Sequence, residues 1–101
     1  MTWVDATASA LPDGSVVGVR AGAELIVLTR VGAAWLAVDA WCTHAECPLT
    51  DGWLEGAAIR CACHGALFDL ATGEPVDGPA VEALRTYRTR VVGERVEVEV
   101  A

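Results

Sequence analysis

All four cysteines and both histidines of this 101-residue chain fall between Cys42 and His64. They form two short motifs, Cys42-Thr43-His44 and Cys61-Ala62-Cys63-His64, with sixteen residues between His44 and Cys61. Each motif offers one thiolate and one imidazole. The four groups can act together only if two separate loops meet at one point, so the fold has to be a frame that presents two loops side by side. Thiolate and imidazole are both good ligands for transition metals, which makes a shared metal centre the first expectation.

Two centres fit such a ligand set. A Cys2His2 zinc site is one, but structural zinc usually takes a sequence-local Cys pair and a sequence-local His pair. Here each pair is mixed, and the strand-rich flanks do not read as a finger helix. The other is a binuclear iron–sulfur centre with sulfur ligands on one iron and nitrogen ligands on the other. The stretches CTHAECPLTDG (42–52) and CACHGALFDLATG (61–73) resemble the two cluster-binding loops of the Rieske family. The order of the flanking strands extends the resemblance over nearly the whole chain. It implies a [2Fe–2S] cluster held by Cys42 and Cys61 on one iron and by His44 and His64 on the other. The implied fold is all-β, an antiparallel β sandwich with a small cluster-binding subdomain at about 41–73 within a single domain, 1–101.

The same resemblance assigns roles to several neighbours. Cys47 and Cys63 occupy the places where Rieske domains of respiratory and photosynthetic complexes carry a disulfide between the loops. The alternative is a pair of reduced, buried cysteines, as is common in the cytosol. High-potential members have Ser and Tyr hydroxyls at the positions of Ala66 and Phe68, where they donate to sulfur. Neither side chain here can donate, which predicts a potential in the lower half of the Rieske range of about −150 to +300 mV. Gly78-Pro79-Ala80 resembles the family's proline loop over the cluster. Gly65 is expected to supply a positive φ or a close backbone approach. Pro48, Leu49, Gly65 and Pro79 are expected to ring the histidine edges as a docking rim.

The chain is similar to the soluble branch of the family, the ferredoxins of ring-hydroxylating oxygenases, and this resemblance implies a freestanding, monomeric one-electron carrier. It would pass electrons from a flavin-dependent reductase to a terminal oxygenase and perform no bond chemistry itself. The Cys47/Cys63 pair keeps a second reading open, a Rieske subunit of a larger respiratory or arsenite-oxidase-like complex. A zinc-stabilised binding module is the third. The net charge of −7 makes nucleic acid and anionic membrane poor partners. No apolar run reaches the roughly 18–20 residues of a membrane span. The N-terminal MTWVDATASALPDGS reads as neither signal nor anchor, so a cytoplasmic location is expected.

Alternating apolar stretches separated by turn residues predict strands from Trp3, over Ser15–Arg20, Glu24–Arg30 and Ala34–Ala40. One or two more are expected within Trp53–Arg60, another at Ala66–Leu70, and a closing hairpin of Arg85–Val92 with Arg95–Val100. Core packing is the expected use of Trp35, Trp41 and Trp53.

Overall fold

The computed structural model describes residues 2–42, 47–63, 65–78 and 82–100. Among the described residues, eleven strands build three antiparallel sheets. The outer sheet has the order β1-β11-β10, from β1 (Thr2–Ala8), β11 (Arg95–Val100) and β10 (Thr89–Val92). The middle sheet has the order β2-β3-β4-β9, from β2 (Val16–Ala21), β3 (Glu24–Val31), β4 (Ala34–Asp39) and β9 (Thr86–Tyr87). The small sheet runs β5-β6-β7-β8, from β5 (Trp53–Glu55), β6 (Ala58–Arg60), β7 (Leu67–Asp69) and β8 (Pro75–Asp77).

Strand β3 explains the layering. Its sequence ELIVLTRV is apolar almost throughout, which suits a strand covered on both faces. Ile26 and Leu28 join Ala37, Val96, Val98 and Val100 in a core shared with the outer sheet. Val27 points the other way and joins Val38, Ile59, Phe68, Leu70 and Leu84 in a core shared with the small sheet. β11 behaves as its alternation predicts: Val96, Val98 and Val100 are buried, whereas Arg95, Glu97 and Glu99 line the wetter face.

Three expectations are corrected. The stretch Arg85–Val92 is two strands rather than one. β9 pairs with β4 of the middle sheet, β10 pairs with β11 of the outer sheet, and the chain changes sheets at Arg88. One strand cannot keep both ladders without a bend, and such corners are how sandwich layers are joined. β8 was not foreseen. It is an edge strand starting at Pro75, a place where a missing N–H costs no ladder bond, and it carries the small sheet past Gly73 to Asp77. Finally, Trp41 and Trp53 are about half exposed (48% and 50%), so neither is a core residue.

Candidate metal centre

Both ligand loops rise from the core between the middle and small sheets. Cys42, Cys47 and Cys61 are themselves members of it, each buried to within 6% of full coverage. The first loop leaves β4 through Ala40 and Trp41. Its two limbs are held together by the Trp41–Pro48 bridge and by two backbone bonds, Cys42 N–H to Cys47 C=O (3.0 Å) and Leu49 N–H to Ala40 C=O (2.7 Å). A turn of 3-10 helix, Leu49–Asp51, then returns the chain to β5.

The second loop is tighter. Cys61 N–H donates to Ala66 C=O (2.7 Å), and Gly65 N–H donates back to Cys61 C=O (3.1 Å). Gly65 takes φ +74°, which meets the expectation of a positive φ there. A disulfide joins Cys47 to Cys63, with Cα atoms 6.4 Å apart, and so ties one loop to the other. It leaves Cys42 and Cys61 as buried thiols, one at the root of each loop. The Cys61 Sγ lies within 4.8 Å of both disulfide sulfurs.

His44, His64 and Pro79 lie outside the described residues. Ala66 and Phe68 are fully buried, Phe68 on β7 in the core directly beneath the second loop. Gly78, with φ +86°, brings the start of the proline loop onto the second ligand loop, since a Cβ there would stand 2.7 Å from the Ala66 Cα. Within the expected docking rim, Pro48 and Gly65 are partly exposed. Leu49 is not: it is completely buried, because its side chain fills the core under the first loop. Leu49 supports the site from below and is not part of a contact surface. Trp41, by contrast, is half exposed and is bridged through its backbone to Pro48.

Arg60 was not singled out from the sequence. It sits next to Cys61, and its Nη1 donates to Gly65 C=O at 2.6 Å. The same guanidinium grips Glu55 through Nε (2.5 Å) and Nη2 (2.9 Å). Trp53 Nε1 donates to the same Glu55 oxygen as Arg60 Nε, Oε2 (3.0 Å). These two donors, Arg60 foremost, hold the Glu55 carboxyl below its ordinary range. The only sequence signal was adjacency to Cys61, which many inert residues share.

The donor set suits iron–sulfur chemistry. Two buried thiols stand at the roots of two hydrogen-bonded loops, and each is the first residue of its loop's Cys/His motif. Comparison with known proteins agrees. A family model described as the Rieske [2Fe-2S] domain matches residues 2–88. The ferredoxin component of the naphthalene 1,2-dioxygenase system of Pseudomonas aeruginosa is 34% identical over 100 residues, covering 98% of this chain and 96% of the relative. The ferredoxin of carbazole 1,9a-dioxygenase from Nocardioides aromaticivorans IC177 superposes with a TM-score of 0.90 at 29% identity, covering 97% of both chains. A chain in a complex of reduced oxygenase and oxidized ferredoxin of carbazole 1,9a-dioxygenase matches with a TM-score of 0.89 and 33% identity, over 95% of this chain and 91% of that one. Among the described residues, no helix is long and apolar enough to cross a membrane.

Proposed function

The chain belongs to the Rieske [2Fe–2S] domain family, and from that premise we propose that it is a ferredoxin, a one-electron carrier between a flavin-dependent reductase and a terminal oxygenase. The observation that carries the reading is the pair of buried thiols, Cys42 and Cys61, at the roots of two tied loops, in a chain that matches dioxygenase ferredoxins over nearly its full length. The zinc reading falls with the family assignment.

In this reading Cys42 and Cys61 hold one iron as thiolates, and His44 and His64 hold the other as imidazoles. When bound, the [2Fe–2S] cluster supplies a single-electron couple whose potential is raised by the two neutral ligands. The chain's own work is to fix four ligands on two loops, to bury the thiolate side in an apolar core and to leave the histidine side toward a partner. Pro48, Gly65 and Pro79 form the docking rim, which Trp41 extends. A small apolar contact suits a complex that must form and part quickly. The protein is a component of a redox system and not a catalyst in its own right. A cytoplasmic location goes with this role.

The disulfide favours a second reading, a Rieske subunit of a larger respiratory or arsenite-oxidase-like complex. Protein-film voltammetry from pH 6 to pH 10 separates the two. A reversible one-electron wave toward about −150 mV, flat around neutral pH, supports the oxygenase-type ferredoxin. A wave toward about +300 mV that falls as pH rises through 7–8 means that histidine ionisation is linked to reduction, and supports the larger complex.

A further inference from the structure

Residues 41–84 carry seven of the fourteen acidic residues of the chain and one of its seven arginines. That arginine is Arg60, and the structure does not spend it at the surface. Its side chain is 22% exposed, lies next to Cys61 and reaches the carbonyl of Gly65, the residue after His64. We propose that Arg60 is a positioning residue for the second ligand loop, and that its fixed charge raises the reduction potential of the centre above what the rest of the site would set. The inference rests on the iron–sulfur reading given above.

The geometry gives the sign. The Nη1 end of the guanidinium faces the loop, and the Nε and Nη2 atoms carry Glu55. The cation therefore stands between the carboxylate and the loop. Coulomb energy falls with distance, so the nearer charge outweighs the farther one. Glu55 is also the more exposed partner at 40%, and Asp77, 3.7 Å from Nη1, is more exposed still at 69%, so water screens both more than it screens Arg60. The field that the Arg60–Glu55 pair adds at the loop is therefore positive, and within the acidic surroundings of residues 41–84 it favours the reduced, more negative state. This opposes the effect of Ala66 and Phe68, which withhold hydrogen bonds from sulfur.

Position and charge are joined through one bond network. Arg60 Nη1 to Gly65 C=O, Gly65 N–H to Cys61 C=O and Cys61 N–H to Ala66 C=O fix the loop 61–66 at three places around His64. A guanidinium can serve Glu55 with two donors and Gly65 with a third because its donors form a rigid fork; a lysine ammonium on a flexible stem cannot reproduce that geometry.

The test is voltammetry and electron paramagnetic resonance of reduced holoprotein for the wild type, Arg60→Met, Arg60→Lys and Glu55→Gln. A reversible wild-type wave with a Rieske-type signal shows that the underlying reading holds, and the variants then decide the inference. Arg60→Met is expected to lower the potential and broaden the signal. Arg60→Lys should keep more of the potential but not the sharp signal. Glu55→Gln removes the opposing charge and keeps an acceptor, so its potential should rise. Equal potentials in Arg60→Met and wild type would overturn the inference. So would shifts of the same sign in Arg60→Met and Glu55→Gln, because simple loosening of the loop has one direction. Should Arg60→Met not assemble its cluster, Arg60→Lys and Glu55→Gln still decide: an unmoved or lowered potential in Glu55→Gln refutes the charge argument.

Discussion

At Ala66 a methyl group occupies a fully buried position one residue beyond Gly65 and two beyond His64, with its own carbonyl accepting from Cys61 N–H. Ala66→Ser adds a small donor there at little cost in volume, and a hydroxyl bonded to sulfur stabilises the reduced state. The expected outcome is a higher midpoint potential in voltammetry with near-unchanged stability. Phe68→Tyr should also raise the potential, but less freely. Phe68 is fully buried in the core, so a hydroxyl that does not reach sulfur is left unsatisfied and costs about 1–3 kcal/mol. Denaturant melts beside voltammetry separate the outcomes: a raised potential without loss of stability means the hydroxyl reaches sulfur. Trp41 calls for the reverse pattern. It is half exposed and bridged through its backbone to Pro48, and anchoring aromatics at interfaces are often worth 2 kcal/mol or more. Trp41→Ala should weaken binding to the terminal oxygenase by roughly tenfold or more, in titration calorimetry, and leave the potential where it was.

The elements show why the ligand loops are where they are, and which parts of that arrangement a sequence can reveal. β3, β4 and β11 were legible because period-two alternation, or a doubly buried apolar run, marks them unambiguously. The break at Arg88 was not, because RTYRTRVV contains no Gly, Pro, Asn or Asp to mark it while its two halves pair in different sheets. Its consequence is a polar joint at the root of the first loop. Tyr87 on β9 donates to Asp39 Oδ1 (2.6 Å), Arg85 Nε donates to the Tyr87 hydroxyl (2.9 Å), and Arg85 Nη2 bonds Glu24 (2.7 Å). Asp39 ends β4 three residues before Cys42. Burial, and then the Asp39 carboxylate, push the Tyr87 hydroxyl well above its usual range. A raised tyrosine favours the protonated folded state, so this contribution is complete below about pH 10 and is lost as pH climbs past it. Tyr87 is the only tyrosine, so tyrosinate absorbance reports it alone. Folded protein should show no tyrosinate step near pH 10, and Asp39→Asn should bring the step down toward it. The disulfide acts at this scale too. It spans a separation of sixteen residues, for which loop closure is worth roughly 3 kcal/mol. Two free thiols per denatured, metal-free, sulfide-free chain are expected, and Cys47→Ala with Cys63→Ala should lose about that much stability in denaturant melts.

Across the whole molecule, the two Cys/His motifs stand out in the sequence because rare residue types crowd one window, whereas the support beneath them does not. Leu49 looked like a surface rim and is core; Arg60 looked like an ordinary strand residue and grips the loop. The role of Leu49 comes from the small sheet packing on the middle one, and that of Arg60 from the β5–β6 hairpin and the turn at Gly65; no local pattern announces either. The charge distribution was legible in sum but not in place. Among the described residues, Arg60, Arg85, Arg88, Arg90 and Arg95 are engaged with carboxylates. Outside 41–84 the fixed charges nearly cancel, and within it they sum to −6 of the total −7. The acidic field therefore belongs to the part of the chain that bears the cluster ligands. Such a field raises the encounter rate with a basic partner and is screened by salt, with a Debye length of about 8 Å at physiological ionic strength and about 3 Å at 1 M. In stopped-flow measurements, electron delivery to the oxygenase should slow by roughly tenfold or more between low salt and 1 M, while the midpoint potential changes little. Position supplies the control. Glu74 and Glu94 are both exposed, the first between β7 and β8, the second in the β10–β11 turn. Glu74→Gln should reduce the low-salt rate and flatten the salt dependence; Glu94→Gln should do neither. Equal effects from the two would mean that net charge alone governs the encounter, and that the concentration of acid around the ligand loops has no part in steering.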